Sequence, residues 1–174
     1  KKRILCVFSR LLGLATMGDQ LKHALASMPY LEAEYYFVDS EDYERYPVPN
    51  FIAMNSLLEF LWIAKKKLQG IDVSKYDDIF INGFELALLL KRRLKHCPVI
   101  LSLDTTPVLA RKLVAQQKQI FWSEWLSLFI CNIYRVIYSG VFKHVNFFLA
   151  RSEWCAQSLI NDFQIPSERI LTTF

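Results

Sequence analysis

Short runs of strand-forming residues alternate along the whole chain with segments of helical pattern, and this alternation constrains the fold more than any other feature. Residues 4–8, 79–81, 98–103 and 145–149 are apolar almost without interruption. A strand with one wet face alternates polar and apolar residues, whereas a continuous run is covered on both faces. Residues 34–38 are aromatic and β-branched, and residues 170–173 form a last strand. Between the strands, residues 19–28, 53–68, 84–95, 108–119 and 153–163 read as helices, the last one behind Ser152, a good N-cap. Pro29 and Gly70 mark two of the helix ends. Leu57, Leu58, Leu61 and Leu68 supply the apolar face of 53–68, and Leu86, Leu89 and Leu90 point inward from 84–95. Residues 39–50 carry Asp39, Glu41, Asp42, Glu44, Pro47 and Pro49 and read as a polar surface loop. The order predicts an α/β fold, a parallel sheet with helices on both faces joined by right-handed crossovers.

In such folds ligands gather at the carboxyl ends of the strands. Those ends fall here at 9–18, 39–40, 82–83, 104–107 and 150–152. A chain of 174 residues suits one domain, and a hydrophobic fraction of 53% excludes a disordered or collagen-like segment. The four cysteines form no CxxC pair; Cys6, Cys97 and Cys131 sit in apolar surroundings and read as small core residues, which favours a reducing compartment. The basic start Lys1-Lys2-Arg3 is followed by no small-residue cleavage site before Gly13, so it does not read as a signal peptide. The expected location is cytoplasmic, or peripheral at the inner face of the membrane.

Charge is uneven along the chain. Residues 1–87 hold 10 basic and 12 acidic groups, and residues 88–174 hold 11 basic and 5 acidic groups. A basic half attracts phosphates or anionic surfaces, and it also arises from solvated helix faces. Lys65 to Lys67 and Lys91, Arg92, Arg93 and Lys95 form clusters without interleaved aromatic residues, so no nucleic-acid partner is expected. Residues 122–142 contain only two charges, Glu124 and Arg135. Three placements are open to this segment. It can be a buried helix. It can span a membrane, against the cost of Arg135 and Asn132 near its middle. Or it can lie in a membrane interface, with Trp122, Trp125, Tyr134 and Tyr138 at headgroup level and Lys143 beyond.

Candidate chemistry lies at the strand ends. Gly13 and Gly18 do not have the GxGxxG spacing, so dinucleotide binding through that fingerprint is unsupported. Gly13 still permits close backbone approach, and the amides near Gly18 and Asp19 are placed to receive an anion or a sugar hydroxyl, or form an ordinary turn. Asp104 follows a strand and precedes Thr105, Thr106 and Pro107; it either orients a substrate hydroxyl or caps its own turn. Asn82, Gly83 and Ser152 are further strand-end positions suited to polyol recognition, and Trp154 either stacks on a sugar or packs under its helix. His23, His96 and His144 have no metal-ligand spacing, and no HExxH, GxSxG or Walker loop is present.

The run Phe147-Phe148-Leu149-Ala150-Arg151-Ser152-Glu153-Trp154, followed by Ser158-Leu159-Ile160-Asn161-Asp162-Phe163 and by Ile165-Pro166-Ser167-Glu168-Arg169-Ile170, resembles the end of the N-terminal domain of two-domain, GT-B type glycosyltransferases, and most of all glycosyltransferase family 4. The run Ser102-Leu103-Asp104-Thr105-Thr106-Pro107 resembles a subset of that family, in which many members carry His where Asp104 stands. The resemblance implies a Rossmann-like domain over 1–174, one half of a GT-B enzyme whose nucleotide-sugar-binding C-terminal domain is its missing partner. It implies retaining transfer of a sugar from a nucleoside diphosphate sugar to an acceptor hydroxyl, on a glycan, a lipid-linked sugar or a small molecule. No cofactor and no metal are implied. This half would hold the acceptor, with Asp104 as the catalytic position and Gly13, Asn82, Gly83, Thr105 and Ser152 around the acceptor. Peripheral membrane contact through 122–143 would suit a lipid-linked acceptor. A non-catalytic interaction or regulatory domain of the same fold is the alternative, and a nucleotide-sugar epimerase or synthetase half is disfavoured by the missing phosphate loop.

Overall fold

The computed structural model describes residues 1–9, 15–53, 55–117 and 124–173. The chain divides into two compact units, Lys1–Val99 and Ile100–Phe174.

In the first unit β1 (Lys2–Ser9) lies between β2 (Leu31–Val38) and β3 (Asp78–Asn82), parallel to both. Leu5, Cys6, Val7 and Phe8 of this central strand are wholly buried. Strand β2 starts earlier than its aromatic run, and its Glu32 and Glu34 face solvent. Its alternation is that of a strand with one wet face.

Helix α1 (Ala15–Ala26) begins at Ala15 rather than Asp19, which corrects the expected loop. Gly18 therefore sits inside the helix and its amide is not an open anion site. Its role is close approach: a Cβ there would stand 2.7 Å from Phe37 Cε1. The Phe37 ring is itself held, stacked 5.4 Å from Phe8 and 6.2 Å from Tyr35.

Residues 39–50, expected as loop, contain α2 (Ser40–Arg45) and the start of α3 (Asn50–Ala53). Asp42 accepts a hydrogen bond from the Asp39 amide at 3.0 Å and pairs with Lys67 Nζ at 2.6 Å, and it is buried. Acidic density looks wet in sequence, yet the countercharge arrives from a residue 25 positions away. Helix α4 (Ser56–Leu68) is capped by Asn55, whose Oδ1 accepts from the Leu57 and Leu58 amides. It buries Ile63, Ala64 and Leu68, while Leu57 and Leu58, expected to face inward, are 42% and 50% exposed.

Helix α5 (Phe84–Leu90) is shorter than expected and buries Leu86, Ala87 and Leu90, with Leu89 half-buried. The chain then turns, and Arg93 donates to the carbonyls of Leu68, Gln69 and Ile71 at 2.8 to 2.9 Å. One member of the basic cluster is thus a cap for the end of α4.

The second unit carries β4 (Val99–Leu103, its first residue at the boundary), β5 (Phe147–Ala150) and β6 (Ile170–Thr172), with β5 parallel to both neighbours. Three helices accompany them: α6 (Pro107–Gln117), α7 (Glu124–Phe142) and α8 (Glu153–Phe163). Helix α7 buries Cys131, Tyr138, Val141 and Phe142. The Phe142 ring meets Phe148 edge-on at 5.4 Å and Phe163 at 4.8 Å. Tyr138 is therefore a core residue and not an interfacial one; Trp122 lies outside the described residues. Among the described residues no helix is long and apolar enough to cross a membrane.

A polar chain ties the three helices together. Thr106 Oγ1 and Ser158 Oγ are 2.6 Å apart, and Ser158 Oγ donates to Asp162 at 2.7 Å. Asp162 also faces Lys112 and Arg135, each at 3.4 Å. Helix α8 ends at Gln164 in left-handed conformation (φ 56°), and Ile165-Pro166 leads through a short 3-10 turn into β6. Both units are parallel strands accompanied by helices, the mixed α/β, Rossmann-like architecture of the sequence expectation.

Candidate functional site

Two strand-end constellations bear on the expected site, one in each unit.

In the second unit the last register pair of β4 and β5 is Leu103 with Ala150. The next residues, Asp104 and Arg151, are consequently side by side, and their side chains form an ion pair. The Arg151 amide donates to the Leu103 carbonyl at 2.9 Å, which holds the two loops together. Asp104 keeps 54% of its side chain exposed, against 24% for Arg151. A carboxylate that is paired yet half exposed can still accept a hydrogen bond from a ligand hydroxyl.

Ser152 caps α8 by accepting from the Cys155 amide at 3.1 Å, and its hydroxyl donates to the Asp104 carbonyl at 3.3 Å. It acts on the Asp104 loop as well as on its own helix. Thr105 Oγ1 donates at 3.4 Å to the Thr106 carbonyl and is half-buried. Thr106 Oγ1 accepts from the Leu109 amide, so the capping role read as an alternative for Asp104 falls to Thr106. Below them burial pushes the Cys155 thiol up to about 12, with the Asp104 charge adding to the shift. Three expected residues, Asp104, Thr105 and Ser152, are thus brought together. Arg151 was missed by sequence reasoning, although parallel register supplies the signal: the residue after β5 must neighbour the residue after β4.

In the first unit Asn82 ends β3, is buried, and its Nδ2 has no hydrogen-bond partner among the described residues. Gly83 caps α5 at φ 106°, a conformation that other residues rarely adopt. A Cβ at Gly83 would lie 3.3 Å from Glu85 Oε2, so the carboxylate sits against the bare backbone. Burial raises the Glu85 pKa. Glu85 is a second residue that sequence reasoning passed over, since one Glu in an apolar helix carries no signal. Gly13 lies outside the described residues.

Among the described residues no group of His, Cys, Asp or Glu is arranged to hold a metal. Grooves of about 370 and 390 Å³ lie away from the strand carboxyl ends, one lined by Lys143, Asn146 and Arg169 and the other by Asp72, Arg93 and His96.

No protein-family model and no curated protein matches the chain. Solved structures do. The chain is similar in fold to a UDP-N-acetylglucosamine 2-epimerase, with a TM-score of 0.58 and 13% identity over 99% of this chain and 48% of that one. It is similar also to a "putative UDP-N-acetylglucosamine 2-epimerase from Listeria monocytogenes", with a TM-score of 0.57 and 11% identity over 98% of this chain and 44% of that one. This chain spans about half the length of those proteins. At such identities the likeness is one of fold.

Proposed function

We propose that this chain is the acceptor-side half of an enzyme acting on nucleoside diphosphate sugars, and that the reaction is glycosyl transfer to an acceptor hydroxyl. The observation that carries the reading is the Asp104–Arg151 pair, braced by Ser152, at the carboxyl ends of adjacent parallel strands. The fold shared with half of two proteins named for a sugar nucleotide supports the substrate class. The resemblance of 98–107 and 147–174 to glycosyltransferase family 4 supports the transfer. Asp104 would accept a hydrogen bond from the acceptor hydroxyl and orient its oxygen toward the sugar carbon. Arg151 would hold that carboxylate in place. Positioning of this kind contributes to rate through orientation more than through new bonds. A second half would close on the site, bind the donor diphosphate and stabilise the charge that builds on it.

Epimerisation of the sugar nucleotide is the second reading. It was disfavoured for lack of a phosphate loop, and the fold likeness to epimerases returns it to view. Product analysis separates the two. With the full-length protein, transfer yields an acceptor heavier by one sugar and free nucleoside diphosphate. Epimerisation yields an isomeric sugar nucleotide with no acceptor present. The transfer reading expects Asp104→Ala to lower kcat/KM by about 100-fold, with Asp104→Asn retaining part of it. An unchanged rate in Asp104→Ala removes the residue from the site.

A further inference from the structure

The carboxyl edge of the first unit holds two polar side chains that the fold leaves unmatched. Asn82 is 1% exposed, and its Nδ2 has no hydrogen-bond partner among the described residues. A buried donor without an acceptor weakens a fold, and a ligand is one source of the acceptor. Its direction follows from the strand. Asn82 points to the same side of β3 as Phe80, whose ring lies 5.5 Å from that of Phe8. Val7 is opposite Ile81, so Asn82 stands beside Phe8 at the carboxyl end of the strand. Strands β2 and β3 flank β1 and run parallel to it. Right-handed crossovers then put the β1–β2 and β2–β3 connections on opposite faces. The carboxyl ends of β1 and β3 consequently part around a crevice, the usual ligand position in such sheets, and Asn82 ends β3 there.

Glu85 supplies the second group. A Cβ at Gly83 would stand 3.3 Å from Glu85 Oε2, and Gly83 holds φ 106°, so Asn82 and Glu85 flank a residue that is bare by necessity. Burial raises the Glu85 pKa, and no neighbouring cation lowers it. One unmatched donor, one carboxyl acceptor and no cation suit a neutral hydroxyl, which accepts from the first and donates to the second. They do not suit a phosphate, which needs several donors or positive charge. We infer that Asn82, Gly83 and Glu85 form a subsite for the hydroxyls of a neutral sugar and discriminate against phosphorylated sugars. The inference rests on the proposed function only in taking that sugar to be the acceptor.

Ligand-observed NMR titration of the full-length protein tests it. The neutral probes are methyl glucoside, methyl galactoside, methyl mannoside and methyl N-acetylglucosaminide, and the anionic ones are glucose 6-phosphate and mannose 6-phosphate. At least one neutral probe is expected to bind, about tenfold or more tightly than either phosphate. Asn82→Leu should weaken that binding about tenfold through the lost hydrogen bond. It should leave the melting temperature unchanged or raise it, because an apolar side chain replaces an unmatched amide beside Phe8. Glu85→Gln keeps an acceptor and removes the charge, so it should retain the neutral probe and narrow the gap to the phosphates to about threefold. Three results overturn the inference: folded protein that binds none of the neutral probes, phosphates that bind as tightly as they do, or an Asn82→Leu protein that melts earlier and binds as before. Neutral binding without nucleoside diphosphate release would refute transfer and keep the subsite, whereas transfer to a phosphorylated sugar would refute the subsite and keep transfer.

Discussion

Replacing Asp162 measures how the second unit is held. Its carboxylate accepts from the Ser158 hydroxyl at 2.7 Å and faces Lys112 and Arg135 at 3.4 Å. Ser158 is buried, and because it donates to Asp162, Thr106 is left to donate to Ser158 across 2.6 Å. A hydrogen bond to a charged group contributes about 1.5–3 kcal/mol. The two ion pairs involve cations about half exposed, so each contributes only about 0.2–0.5 kcal/mol after solvent screening. Asp162→Ala removes both contributions and leaves a buried hydroxyl without its acceptor, a loss of about 2–4 kcal/mol. Asp162→Asn keeps an acceptor oxygen and loses the charge, which should cost about 1 kcal/mol. Urea denaturation with an unchanged slope reads both values. The Ser158→Ala, Asp162→Ala double mutant should be much less destabilised than the sum of the singles, since the two share one interaction. A loss under 1 kcal/mol in Asp162→Ala, or strict additivity, would refute the account.

Three further outcomes are expected. Gln164→Gly should stabilise the protein by about 0.5–1 kcal/mol in thermal or urea unfolding, because Gln164 holds φ 56° at the end of α8, where glycine has no Cβ penalty. With a thiol reagent near pH 8, the half-buried Cys97 should react before Cys6 and Cys155, whose thiols burial pushes up to about 12; fast reaction of either in folded protein would contradict their placement. Hydrogen bonds from the hydroxyls of Tyr76 and Tyr36 lower the Glu34 pKa. That contribution to stability is present above the unfolded value near 4.5 and is lost as pH falls through the lower folded value, so Glu34→Gln should flatten the acid side of the stability profile.

The strand–helix alternation was legible because continuous apolar runs such as Leu5 to Phe8 leave a strand little alternative to burial on both faces. What escaped depends on distant partners. Asp42 looked like loop because Lys67 is 25 positions away, and the turn after α5 exists where Arg93 reaches back to the end of α4. Gly18 looked like a loop glycine because only the packed structure brings Phe37 against it. At the candidate site, Asp104, Thr105 and Ser152 were visible as residues following strands. Arg151 needed the register, and Glu85 needed the close approach at Gly83. Helix α7 shows the same limit: composition gave an apolar helix, and only packing says that Tyr138 is core while Val136 is bare.

The central claim concerns nucleotide-sugar chemistry, and nucleoside diphosphate release tests it most directly. The full-length protein would be incubated with UDP-, GDP- and ADP-sugars, with and without polyol and lipid-linked acceptors. The account predicts release from one donor class that depends on acceptor and falls in Asp104→Ala. No release and no isomerisation from any donor, by protein shown to be folded, would contradict it and leave an interaction domain of the same fold.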